Sequence, residues 1–310
     1  MPKSATPRQP PATPAPTRAA SRGKAARIQP PIAGVAAAGS LPPDIASATA
    51  DPIRARPGDP DFMTSLARGL TVIGAFTRQK RQLTIAQISQ RTGIPRAAVR
   101  RCLYTLGRLG YVGSDDRRTF ALRPKILELG HAYMTSSPLA SSSQPILDRV
   151  SDVIHESCSM AILDGDEILY IARSSTQDRI MSIDLGLGSR LPAHCTSMGR
   201  VLLAGLAPPE LDAYLAHVRM IAYTSRTITA PHKLADALAK VRRDGYALVD
   251  QELEIGLRSL AVPVHDRTGR VAAAVNVGVQ ASRVTIADLE TRILAELVTA
   301  ARELGMLLSV

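Results

Sequence analysis

The sequence predicts an α+β protein: a small helical domain ending in a hairpin, a linker helix, and a larger domain with an antiparallel sheet flanked by helices. Three observations carry that expectation. Apolar residues between 84 and 106 recur at helical spacing on both sides of a glycine turn. From about residue 158 onward, apolar strand runs separated by short Asp/Gly turns alternate with helical stretches, as in an α+β layer arrangement. The chain has 310 residues and 45% apolar content, enough for two cores and a tail. The expected division is a tail over 1–60, a first domain over 61–123, a linker helix over 124–137 and a second domain over 138–310.

Residues 1–60 hold thirteen of the 22 prolines, interleaved with Ala, Arg and Ser. Such a segment cannot bury enough apolar surface to offset its ordering entropy, so disorder is expected. The small-residue run 32–40 follows several basic residues, like a secretory core, but it is short, mostly Ala and Gly, and far from the start. A cytoplasmic location is expected instead. The tail's eight basic residues suit salt-sensitive attraction to nucleic acid.

In the first domain, 65–76 reads as the leading helix. Ile85 and Ile88 then mark a short helix that ends at Gly93, a residue free to adopt the left-handed conformation. Pro95 suits the first turn of the next helix, where its missing N–H costs nothing. Val99, Cys102, Leu103 and Leu106 repeat at i, i+3, i+4, i+7 and face inward, while Arg96, Arg100, Arg101, Tyr104 and Arg108 lie on the opposite face. A helical hairpin with a solvated basic face would share the apolar pattern. Turn, proline, spacing and charge together favour a helix-turn-helix, whose second helix enters the DNA major groove.

Leu109-Gly110-Tyr111-Val112 closes that helix and opens a strand, 113–118 forms a turn-like tip, and Thr119-Phe120-Ala121-Leu122 returns. A hairpin in this place is the wing of a winged helix. Arg117 and Arg118 at its tip suit a backbone or minor-groove contact, whereas Asp115 and Asp116 would repel phosphate; a solvated loop is the equal alternative. Charge agrees with the DNA reading. Residues 61–123 hold twelve Lys/Arg against three Asp/Glu, and 124–310 hold eighteen against twenty-one, so the net +11 is confined to the first domain and the tail.

Lys125 onward reads as the linker helix, with Ile126, Leu127, Gly130 and Tyr133 on one side, and a helix is expected over 145–157. Strand runs 160–163 and 168–172 flank Asp164-Gly165-Asp166-Glu167, a hairpin pattern. Helices are expected over 195–206 and 234–244, a second hairpin over 260–265 and 271–279, and a final helix over 286–308.

Two constellations in the second domain carry chemistry. In Leu185-Gly186-Leu187-Gly188 through Pro192-Ala193-His194-Cys195-Thr196-Ser197-Met198-Gly199-Arg200, a glycine-bearing loop leads into a helix that Thr196 or Ser197 caps. The free N–H groups there form an anion site, or the helix is merely structural with Arg200 facing solvent. In Asp250-Gln251-Glu252-Leu253-Glu254-Ile255-Gly256-Leu257-Arg258-Ser259, carboxylates and an arginine stand at the mouth of an apolar strand. They pair as a structural network or hold a polar ligand.

Catalysis finds little support. Cys195 beside a helix start is the one nucleophile candidate, and nothing singles out a base for it. G-x-S-x-G, H-E-x-x-H, P-loop and G-x-G-x-x-G patterns do not occur. The three cysteines have no C-x-x-C spacing, the six histidines are dispersed, and no apolar run approaches the roughly 20 residues of a membrane helix. Metal, cofactor and membrane partners are therefore not expected, and neither is an enzyme. The alternative is a sensor-like enzyme acting on a small organic acid, with the winged helix as an accessory module.

Over 62–310 the chain resembles the IclR-type transcriptional regulators. The motifs are the winged helix over 83–122, Leu191-Pro192-Ala193-His194 with Met198-Gly199-Arg200-Val201-Leu202-Leu203-Ala204, Tyr223-Thr224 with Thr227-Ile228, Gly256-Leu257-Arg258-Ser259-Leu260-Ala261-Val262-Pro263, and Ala274-Val275-Asn276-Val277. Pro192 to Arg200, with Arg96-Ala97-Ala98-Val99-Arg100-Arg101, is similar to the subgroup controlling protocatechuate, 4-hydroxybenzoate and β-ketoadipate catabolism. The resemblance implies a GAF-like effector domain and a homodimer or homotetramer. It also implies a double-stranded DNA operator and a small aromatic or dicarboxylic acid as effector. By motif, Ser197, Met198, Asp250, Ser259 and Asn276 would line the effector pocket, with Arg200, Glu252 and Arg258 as further candidates that serve equally as structural ion-pair partners. Many family members carry hydroxyl residues where Ala97 and Ala98 stand, so base readout here would rest on Arg96, Arg100, Arg101 and Tyr104.

Overall fold

The computed structural model describes residues 58–77, 80–174 and 185–308. The tail expected over 1–60 lies outside the described residues except for 58–60, and its expected disorder lies outside them with it.

The first domain is built on α1 (Thr64–Gly74), β1 (Gln82–Thr84), α2 (Ile85–Thr92), α3 (Arg96–Arg108), β2 (Val112–Gly113) and β3 (Thr119–Leu122). Thr84 opens α2 with a capping box: its hydroxyl accepts the Gln87 N–H at 3.2 Å, and Gln87 Oε1 accepts the Thr84 N–H at 2.8 Å. Gly93, at φ +67°, closes the helix in the left-handed conformation. Val99, Leu103 and Leu106 of α3 are buried against Val72, Leu83 and Ile88, with Cys102 half-buried beside them. The wing is three-stranded in the order β1-β3-β2, because β1 pairs with the outer edge of β3. A strand of three residues has too little periodicity to be read from sequence.

A short 3₁₀ turn (Pro124–Ile126) leads into α4 (Leu127–Ser136). Only Ser137, extended at φ −102° and ψ 114°, separates α4 from α5 (Pro138–Ile154). The helix expected over 145–157 thus begins at Pro138. Ser137 Oγ accepts the Ala140 N–H at 3.4 Å, a proline fills the first turn, and Pro145 sits inside the helix rather than at its start.

The second domain continues with β4 (Cys158–Asp164), β5 (Glu167–Arg173), β6 (Arg190–Pro192), α6 (Ser197–Ala204), α7 (Pro208–His217), α8 (Pro231–Asp244), β7 (Ala247–Asp250), β8 (Leu257–His265) and β9 (Val271–Gln280). It ends with α9 (Ile286–Asp288), a π-helical turn (Leu289–Ile293) and α10 (Leu294–Leu307), so the expected final helix is interrupted. The six strands form one antiparallel sheet in the order β6-β5-β4-β9-β8-β7.

Strand alternation divides the core. Met160, Val262, Val275 and Val277 point to one face, where they meet Leu147 and Ile154 of α5 and Leu297 and Leu304 of α10. Ala161, Ile168, Tyr170, Ala261 and Ala274 point to the other, where they meet α6 and Leu234 and Leu238 of α8. One irregularity re-aims the end of β5. Met160 stands opposite Ala172 and Ala161 opposite Tyr170, so Ile171 is an extra residue in that strand. The bulge sends both Ile171 and Ala172 to the α5 face and returns Arg173 to the face of Tyr170. No described helix is long and apolar enough to cross a membrane.

Candidate functional site

The first candidate site is the outer face of α3 and the wing. Burying Val99, Leu103 and Leu106 turns Arg96, Arg100, Arg101, Tyr104 and Arg108 to solvent, and Tyr104 is 70% exposed. Arg117 and Arg118 are exposed at the wing tip, where Arg117 takes a left-handed φ of +59°. Among the described residues, none of these six arginines lies within 4 Å of a carboxylate. Their charge is therefore free to meet phosphate.

Asp116 turns back into its own loop and accepts the N–H groups of Arg118 at 2.8 Å and Thr119 at 2.7 Å, with the Thr119 hydroxyl at 2.9 Å. The two Thr119 and Arg118 backbone bonds hold its carboxyl down to about 2. It shapes the turn from which Arg117 and Arg118 project.

The second candidate site is a cleft between the sheet and the start of α6. It is narrow, with a cavity volume of about 40 Å³. The floor is a polar row across the sheet: Arg173 on β5 stands opposite Ser159 on β4, which stands opposite Asn276 on β9. Arg173 Nη1 donates to Ser159 Oγ at 3.1 Å. Among the described residues no carboxylate lies within 4 Å of Arg173. Ser259 and Gly278 face each other in the next row of the floor.

The roof is the N-terminus of α6. Thr196 Oγ accepts the Gly199 N–H at 3.2 Å and donates to the Pro192 carbonyl at 2.9 Å, which fixes where the helix begins. Gly199 permits this approach, since a Cβ there would overlap the Ala193 carbonyl oxygen and Cα. Two side-chain atoms in this cleft, Ser197 Oγ and Asn276 Oδ1, are buried without a hydrogen-bond partner among the described residues. A buried polar atom left unbonded costs about 1–3 kcal/mol, so a pair of them in one cleft makes it the candidate place for water or a polar ligand.

The expected effector residues separate into two groups. Ser197, Glu252, Ser259 and Asn276 line the cleft. Met198, Arg200, Asp250 and Arg258 do not line it. Met198 is buried in the apolar cluster around α6. Arg200 is paired with Glu252 at 2.7 Å, both side chains being under 10% exposed, and its Nε donates to the His194 carbonyl at 3.2 Å. Asp250 accepts from Arg258 Nε at 2.8 Å and Arg226 Nη1 at 2.6 Å. Partial burial pushes its carboxyl up, and the bond and charge of Arg258 outweigh this, leaving it below the usual range. Arg258 also donates to the Val284 carbonyl at 2.7 Å. Arg173, Ser159 and Tyr170 also line the cleft, although no motif in the sequence marks them for it, and so does Thr196, the expected helix cap.

Burial pushes the Cys195 thiol up to about 12, with the Glu252 charge adding to it. That is the opposite of what a nucleophilic thiolate needs. Burial likewise pulls His194 down, against its ring's bond to the Ile221 carbonyl at 3.2 Å. Among the described residues no group of three His, Cys, Asp or Glu stands together for a metal ion.

Comparison with known proteins follows the same division. The model of the IclR helix-turn-helix domain matches residues 65–116, and that of the bacterial transcriptional regulator IclR C-terminal domain matches 131–306. The chain is 56% identical over 277 residues to the Pca regulon regulatory protein of Pseudomonas putida, covering 89% of this chain and 94% of that one. A crystal structure of a transcriptional regulator from Rhodococcus sp. RHA1 is 44% identical, with a TM-score of 0.71 over 80% of this chain and 99% of that one. The inducer-binding domain of the Acinetobacter transcription factor PobR, a double mutant in complex with 3-hydroxybenzoic acid, is 31% identical. It covers 54% of this chain and 97% of that one, with a TM-score of 0.50.

Proposed function

The chain belongs to the IclR family of bacterial transcriptional regulators, and from that premise we propose that it controls aromatic-acid catabolism in response to a small acid. The acid is aromatic or dicarboxylic, of the protocatechuate, 4-hydroxybenzoate or β-ketoadipate pathway, and binds in the cleft between sheet and α6. The names of the Pseudomonas and Acinetobacter relatives support the pathway. The working units are a DNA-binding domain over 61–123, a linker over 124–137 and an effector domain over 138–310. A cytoplasmic homodimer or homotetramer would present recognition helices about one helical turn of DNA apart, or a multiple of it.

One observation carries the effector reading: among the described residues, the cleft gathers a cation without a carboxylate partner and two buried polar atoms without bonds. A carboxylate on Arg173 would make charge-assisted bonds of about 2.7–2.9 Å. The N-terminal N–H groups of α6 favour the same negative charge, and Ser197 with Asn276 would bond the remaining polar atoms of the acid. Binding changes DNA affinity only through unequal affinity for two arrangements of the DNA-binding domains. On the DNA side, Arg96, Arg100, Arg101, Tyr104 and Arg108 read the groove and Arg117 and Arg118 meet the backbone. Each arginine bidentate to guanine would add about 1–3 kcal/mol of discrimination.

Calorimetric titration with protocatechuate, 4-hydroxybenzoate and β-ketoadipate tests the pocket. At least one should bind, and Arg173→Met, which keeps the volume and drops the charge, should weaken it about 10- to 100-fold, the worth of a charged hydrogen bond. No heat from any of the three would overturn the reading.

A further inference from the structure

We propose that Gln144 is a positioning residue that passes occupancy of the effector cleft to the linker helix through its hold on Arg173. The inference rests on the effector reading of the cleft. The cleft and α5 lie on opposite faces of the sheet, so a ligand in the cleft has no direct route to the helix that continues the linker. The end of β5 is where the two faces are joined. Arg173 projects its guanidinium into the cleft, held by Ser159 Oγ at 3.1 Å, while its backbone carbonyl accepts from Gln144 Nε2 of α5 at 3.0 Å. The same Nε2 donates to Asp148 Oδ1 at 2.8 Å, one helical turn on. Both protons of the amide are therefore used, and Asp148 keeps it aimed at β5.

Three features make this contact suited to transmission rather than to stability alone. The bulge at Ile171 lies two residues before Arg173, and bulges re-aim the side chain that follows them. Arg173 is thus presented to the cleft by an irregular strand end, still paired with Ser159 of β4 beyond the bulge. Pro145 directly follows Gln144 and cannot donate the helical hydrogen bond of that turn, so α5 yields most readily there. Upstream, Ser137 alone stands between α5 and α4, and its hydroxyl and carbonyl are both bonded into α5, to the N–H groups of Ala140 at 3.4 Å and Ser141 at 3.0 Å. A turn of the first part of α5 is therefore handed on to the linker. An acid that draws the Arg173 guanidinium away from Ser159 moves the residue whose carbonyl Gln144 holds.

The test uses the full chain, a duplex carrying its operator, and protocatechuate, 4-hydroxybenzoate and β-ketoadipate as effectors. Two quantities are measured for the wild type, Gln144→Met and Gln144→Lys: calorimetric affinity for the acid, and the ratio of operator affinities with and without it. Gln144→Met should bind the acid within about twofold of the wild type and lose at least fivefold of the ratio, fivefold being the lower end of ordinary allosteric coupling. Gln144→Lys, which restores a donor to the Arg173 carbonyl, should recover part of it. An unchanged ratio in Gln144→Met overturns the inference alone. Loss of acid affinity together with the ratio also overturns it, since Gln144 would then serve the cleft itself. Absence of binding by all three acids in the wild type overturns the effector reading, and this inference with it.

Discussion

Replacing Arg200 by methionine removes one half of a buried ion pair while retaining most of the side chain's apolar volume. The pair spans 2.7 Å, with side-chain exposures of 6% for Arg200 and 9% for Glu252. Without the guanidinium, Glu252 Oε2 keeps, among the described residues, only the Ile228 N–H, at 3.1 Å. Stranding a buried charge in this way costs about 3–5 kcal/mol. For a domain of this size each kcal/mol lowers the melting temperature by about 2–4 °C, so a fall of about 6–20 °C is expected in scanning calorimetry. Adding Glu252→Gln removes the stranded charge but keeps an acceptor for Ile228, and the double variant should recover more than half of the loss. A drop below about 1 kcal/mol in Arg200→Met, the ordinary worth of an exposed pair, would contradict this. So would a double variant no better than the single one. The pair would then be a solvated surface contact in effect, not the clasp that closes α6 onto the 223–228 loop.

Gly199→Ala should destabilise the effector domain by about 1–3 kcal/mol and weaken acid binding, because its Cβ would overlap the Ala193 backbone, which cannot swing aside as a flexible side chain would; urea midpoints and calorimetry check both. Arg100→Ala with Arg101→Ala should lower operator affinity and reduce the slope of log affinity against log salt by about 1 for each phosphate no longer neutralised, measured by fluorescence anisotropy. Unchanged affinity at moderate salt would sink the DNA-binding role of α3. Asp116 provides a pH test. Its folded value, about 2, lies below the ordinary aspartate value of about 3.9, so its contribution to the wing is present above about pH 4 and is lost as pH falls toward 2. Carboxyl chemical shifts of Asp116 should titrate in that window, and a midpoint near the ordinary aspartate value would count against the capped turn.

The two candidate sites differ in how far the sequence discloses them, and the reason is locality. The helix-turn-helix and wing lie within about 40 residues, where Gly93, Pro95 and the spacing of Val99, Leu103 and Leu106 specify turn, helix start and buried face. The exposed arginines follow from that geometry alone. The cleft is assembled from β4, β5 and β9, strands whose paired residues Ser159 and Asn276 lie more than a hundred positions apart. Arg173 is hidden for a sharper reason. Strict alternation along β5 places it on the face opposite Tyr170, and only the extra residue Ile171 brings the two together. Asp250 and Arg258 show the converse. Their proximity is legible as a charged constellation, but the choice between ion pair and ligand site depends on Arg226 and the Val284 carbonyl, which converge on them in three dimensions. Ser137 and Pro145 illustrate a local ambiguity: both prolines of α5 fit a helix start, and the serine cap selects Pro138.

An acid held in the cleft by Arg173 should alter DNA binding by a domain it does not touch. Titrating a fluorescent operator duplex with wild type and with Arg173→Met, each with and without saturating protocatechuate, 4-hydroxybenzoate or β-ketoadipate, measures that coupling in one assay. At least one acid should change the wild type's operator affinity about fivefold or more, while Arg173→Met binds the operator normally and no longer responds. If every acid leaves the wild type's affinity unchanged, or if Arg173→Met responds as the wild type does, Arg173 does not link the cleft to the DNA.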